Sequence, residues 1–107
     1  MNINVGKSNF QLSLTVNSVN STISINFEIS GNNAKFYYDS MKDLYEEDSK
    51  GKISPDLEWL RLDDKKVSMV KLSQSFNFLD VDSHEEQFAW FVEYVQKFVK
   101  YFQPKKF

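Results

Sequence analysis

Phe10-Gln11-Leu12-Ser13-Leu14-Thr15-Val16 and, after the polar turn Asn17-Ser18-Val19-Asn20, Ile23-Ser24-Ile25-Asn26-Phe27-Glu28-Ile29 set an apolar side chain at every second position. A strand sends successive side chains to opposite faces, so this period of two predicts two strands, each with one buried and one wet face. The short polar turn joins them into an antiparallel hairpin. Upstream, Ile3 and Val5 predict a short leading strand, with Gly6-Lys7-Ser8-Asn9 as its turn.

Beyond the hairpin the period changes. Gly31-Asn32-Asn33 stops the second strand and offers an Asn N-cap. Ala34, Tyr37, Tyr38, Met41, Leu44 and Tyr45 then recur at helical spacing through about Asp48, covering an arc of roughly 120° with Phe36 outside it. Ser49-Lys50-Gly51-Lys52 and Ser54-Pro55 read as a linker between elements. A second hairpin is expected over Leu57 to Leu62 and Val67 to Leu72, joined by Asp63-Asp64-Lys65-Lys66 and apolar on both faces. After an irregular stretch through Phe76, Phe78 and Val81, Asp82 or Ser83 opens a long helix. Glu85 and Glu86 suit its N-terminal dipole, Lys97 and Lys100 its C-terminal one, and it must end before Pro104. The expected fold class is α+β, (β)ββα-ββα. Residues 1–107 form a single domain with one antiparallel sheet of four or five strands and two helices packed on one face.

Composition bounds the function. A chain of 107 residues with 41% hydrophobic content can bury a core without staples, and 16% aromatic content builds that core on rings. The absence of cysteine excludes disulfides, thiolate metal sites and a cysteine nucleophile, and fits a cytoplasmic location. Residues 1–10 lack the apolar run of a signal peptide, and no stretch approaches the roughly 18 apolar residues of a membrane span. A net charge of -2 gives no global attraction for nucleic acid.

Catalytic groups are sought without success, and no enzyme, cofactor or metal is expected. The single histidine, His84, stands beside Asp80, Asp82, Glu85 and Glu86, a helix-start setting rather than a convergent ligand set. The three glycines are dispersed at 6, 31 and 51, so no phosphate-cradling loop exists. Asp56 with Asp63-Asp64-Lys65 imitates the carboxylate and lysine spacing of Mg²⁺-dependent nucleases, but Asp and Lys here fill a hairpin turn.

Three surfaces remain. On the last helix Trp90, Tyr94 and Tyr101 widen the apolar arc to roughly 200°, more than one sheet face covers. Either the linker, the chain after Leu72 or the first helix buries these rings, or they form a partner surface, since Trp and Tyr concentrate energy at protein interfaces. Another copy of the chain, as a homodimer, is one candidate for their partner. Asp39, Asp43, Glu46 and Glu47 on the first helix form an acidic patch fit for a basic groove. Lys97, Lys100, Lys105 and Lys106 give a weaker case for direct nucleic-acid binding, because Arg61 is the only arginine.

The landmarks Gly6 to Leu14, Gly31-Asn32-Asn33-Ala34-Lys35, Leu57-Glu58-Trp59, Asp64-Lys65-Lys66 and a last helix carrying Trp90 and ending on Phe102 resemble an uncharacterised bacterial domain family. That family is usually found C-terminal to PD-(D/E)XK nuclease-like domains in restriction or defence proteins. The resemblance implies no catalytic residues. It implies a non-enzymatic protein-binding module whose partner is a nuclease or nucleoprotein complex. The alternative it leaves open is a stand-alone, phage-encoded, anti-CRISPR-like inhibitor of a nucleic-acid-targeting defence nuclease.

Overall fold

Every strand of the sheet is antiparallel to its neighbours, and across the sheet the strands run Asn2–Lys7 (β1), Phe10–Asn17 (β2), Thr22–Ile29 (β3), Ser68–Ser75 (β5) and Glu58–Leu60 (β4). The computed structural model describes residues 2–7, 9–17, 19–77 and 79–104. In chain order the elements are β1 (Asn2–Lys7), β2 (Phe10–Asn17), β3 (Thr22–Ile29), α1 (Ala34–Lys52), β4 (Glu58–Leu60), β5 (Ser68–Ser75) and α2 (His84–Phe102), the last preceded by a 3₁₀ turn at Val81–Ser83. The α+β class, the (β)ββα-ββα order and both helices on one sheet face are as the sequence predicts.

The period of two sets the register. Phe10 pairs with Ile29, Leu12 with Phe27, Leu14 with Ile25 and Val16 with Ile23, so the alternating apolar residues share one face. Across the next ladder Phe27 meets Val70 and Ile25 meets Leu72, carrying that face through β5. Both helices lie on it. The α1 residue Tyr37 packs edge-on against Phe10, with centroids 5.6 Å apart, and the α2 residue Phe102 stacks on Phe27 at 4.2 Å. The opposite face carries Ser13, Thr15, Ser24 and Asn26, with the Asn26 amide donating to Ser13 Oγ at 3.2 Å and Thr15 Oγ1 at 2.9 Å.

Three expectations need correction. The first helix does not stop near Asp48 but runs to Lys52, absorbing the predicted linker. Ser49 is fully buried there, its hydroxyl donating to Glu46 O and accepting from Trp59 Nε1, while Gly51 faces open space and costs only its weak helix propensity. Leu44, assigned to the buried arc, is 67% exposed. In the second hairpin the shorter strand keeps only Glu58–Leu60, because Leu62 turns into the left-handed region at φ 55°.

That turn is held by a lysine. Lys35, at the start of α1, donates from Nζ to Arg61 O, to Leu62 O at 2.7 Å, to Val67 O at 2.9 Å and to Ser68 Oγ at 3.0 Å. Ser68, fully buried, in turn donates to Arg61 O at 2.7 Å.

Candidate functional site

α2 carries more apolar surface than one sheet face can cover, and the structure divides that surface between two flanks. At about 100° per residue, Trp90, Tyr94 and Tyr101 sit far around the helix from Phe88 and Val92. The first flank turns inward. Tyr101 is only 6% exposed, meets Tyr45 of α1 edge-on at 6.2 Å and donates its hydroxyl to Asp48 at 2.7 Å. Burial, reinforced by the Asp48 carboxylate, pushes its phenol well above the ordinary tyrosine range. Trp90 and Tyr94 are half-buried against the core, 5.1 Å apart, and Lys97 Nζ stands 4.5 Å over the Tyr94 ring. Tyr101 is therefore a core residue that ties α2 to α1, not part of an open aromatic surface.

The second flank stays open. Between the N-terminal half of α2 and the turn end of β2 and β3 runs a groove of about 910 Å³. Leu14, Val16, Ile23 and Phe76 form its sheet wall, and Phe88, Phe91, Val92 and Val95 its helix wall. Phe88 is 67% exposed and Val16 60% exposed. Among the described residues, six of the eight large exposed apolar side chains belong to this end of the molecule: Val16, Val19, Leu79, Val81, Phe88 and Val92. An apolar concentration of this kind is what a monomeric surface avoids and a binding surface has. The groove exists because neither helix covers β2 at its turn end. α1 packs on β3 and β5, and α2 on β3.

Polar groups enter the groove only at its rim, through His84, Glu85 and Gln96. The His84 ring lies 5.3 Å from Phe76, and its Nε2 is buried without a hydrogen-bond partner among the described residues. No group of three or more His, Asp or Glu among those residues could hold a metal ion.

The acidic patch on α1 is in large part neutralised internally. Asp39 accepts from Arg61 Nε at 2.9 Å, and Arg61 also pairs with Asp63. The Arg61 hydrogen bond lowers the Asp39 carboxyl below its usual range, and the two carboxylates raise the guanidinium. Glu46 stands 3.9 Å from Lys42, and Asp48 takes the Tyr101 hydroxyl. Asp43 and Glu47 are left exposed. The turn carrying Asp63, Asp64 and Lys65 is exposed too. The lysines do not gather into a patch that the structure describes. Lys97 lies over Tyr94, Lys100 is exposed, and Lys105 and Lys106 fall outside the described residues.

No helix among the described residues is long and apolar enough to cross a membrane. Residues 1–106 match the family described as Domain of unknown function (DUF4268), and the chain belongs to that family. Searches among curated proteins and among solved structures return no match.

Proposed function

We propose that this DUF4268 domain is a non-enzymatic, cytoplasmic binding module, and that the groove between α2 and the turn end of β2 and β3 receives an apolar segment of a partner protein. The observation that carries the reading is the bare flank of α2. Phe88 and Val92 stay exposed over Val16 while the opposite aromatic flank is spent on the core. A nuclease or nucleoprotein complex is the partner class we carry forward from the resemblance of the sequence. The groove replaces Trp90, Tyr94 and Tyr101 as the contact surface, since mutating those rings would disturb packing.

The test is site-specific photo-crosslinking in the native host, with the reactive side chain placed at position 88 or 92. Both positions should capture the same partner, and Val16→Asp should abolish capture from position 88. Positions 36 and 44, exposed and apolar on α1, are the controls. Equal capture from those, or none from 88 and 92, refutes the proposal.

A further inference from the structure

The four oxygens around Lys35 Nζ make a cage that carries no charge of its own. Three are the backbone carbonyls of Arg61, Leu62 and Val67, and the fourth is the Ser68 hydroxyl. Ser68 gives its proton to Arg61 O at 2.7 Å, so its lone pairs are left for the ammonium.

The dimensions of the cage select a single positive charge. Leu62 O, Val67 O and Ser68 Oγ stand 2.7, 2.9 and 3.0 Å from the nitrogen. That spacing is too wide for Mg²⁺, which binds oxygen at about 2.0–2.1 Å, or for Ca²⁺ at about 2.3–2.6 Å, and none of the four oxygens is a carboxylate to balance a second charge. Carbonyl oxygens standing in for a hydration shell are how K⁺ is held in its channels, and K⁺ has nearly the radius of an ammonium ion. An ammonium directs three N–H bonds and serves three of the four oxygens at once, whereas a spherical ion touches all four.

We infer that α1 and the β4–β5 turn enclose a binding site for a monovalent cation, potassium or ammonium, which the chain fills with the ammonium of its own Lys35. Beside the cage a cavity of about 350 Å³, lined by Lys35 with Gly31, Asn32, Ala34, Lys65 and Lys66, gives a route from solvent. The two turn lysines oppose a free cation entering there. A tethered ammonium escapes that barrier, because the chain fixes its effective concentration. The site lies apart from the groove and does not depend on the reading of it.

Lys35→Ala empties the cage, and thermal melts in KCl, NH₄Cl, LiCl and choline chloride, each at about 300 mM to hold ionic strength constant, show what refills it. Relative to the shifts those salts cause in the unmodified protein, K⁺ and NH₄⁺ should each raise the melting temperature of Lys35→Ala by about 5 °C over Li⁺ and choline. Hydrogen exchange at Lys65 N, which donates to Leu62 O at 2.9 Å, should slow in that variant when K⁺ replaces choline. Lys35→Met, whose terminal methyl takes the place of the ammonium, should show no such gain. Should Lys35→Ala be unfolded in choline chloride, the same comparison is read by circular dichroism, with K⁺ restoring the fold. Equal melts in the four salts, an equal gain in Lys35→Met, or a Lys35→Ala chain unfolded in all of them overturns the inference.

Discussion

Replacing Lys35 by methionine keeps the apolar stem and removes only the ammonium, so it isolates the clamp between α1 and the β4–β5 turn. An ammonium has three N–H donors, so three of the four acceptors around Nζ are served at once. A hydrogen bond from a charged donor contributes about 1.5–3 kcal/mol net when shielded. Lys35 is half-buried and its carbonyl partners can recover water, so the sum is discounted to about 2–4 kcal/mol. The left-handed Leu62, whose carbonyl also accepts from Lys65 N at 2.9 Å, then loses part of what holds it there. Equilibrium urea denaturation should show that loss with an unchanged slope, and melting should fall by about 8–16 °C. Hydrogen exchange at Lys65 N should rise more than at the β3–β5 ladder. Lys35→Arg should not restore stability, since a planar guanidinium does not fit a cage shaped for a compact ammonium. A loss below about 1 kcal/mol in Lys35→Met would place the clamp among ordinary surface contacts and refute the reasoning.

The two flanks of α2 should separate in stability measurements. Trp90→Ala or Tyr94→Ala should cost about 1–3 kcal/mol in urea titrations, and Phe88→Asp within about 0.5 kcal/mol of nothing. Tyr101→Phe should cost about 1 kcal/mol by removing the bond to Asp48. Because burial raises the Tyr101 phenol, the folded state keeps a proton that the unfolded state sheds. Stability should therefore hold below about pH 10 and fall above it. Thermal melts across that range should show a shallower fall in Tyr101→Phe, with a residual slope from Tyr38, which burial also raises. Gly51→Ala should stabilise by about 0.5–1 kcal/mol, read by calorimetry, because it lies inside α1 with open space around its Cα.

The first hairpin was legible because its alternation runs without a break and a sheet with one covered face turns that alternation directly into burial. The end of α1 was not, because Gly51 and Ser49 look like loop residues until Ser49 is seen buried beneath Trp59. Spacing shows the excess width of the α2 apolar arc, but not which side of it the fold covers. A helical projection gives the width of an arc, while the neighbour that covers each side is set by tertiary contacts such as Tyr101 with Asp48. One signal pointing to the groove lay in the sequence all the same: the run without a lysine or arginine from Leu72 to Gln96, with Phe88 and Val92 inside it. The Lys35 clamp left no such trace, since its acceptors lie 26 to 33 residues away and are chiefly backbone oxygens.

The pairing of β3 with β5 joins a ladder made entirely by the first half of the chain to one made by the second. During synthesis β1, β2 and β3 emerge first, and β3 then presents eight residues of unpaired backbone above the exposed Ile25 and Phe27 until β5 follows, past α1 and β4. An edge of that length and hydrophobicity templates pairing with another chain. A fragment ending after Lys52 should therefore aggregate on expression, and slow elongation between α1 and β5 should raise the demand of this domain for chaperones.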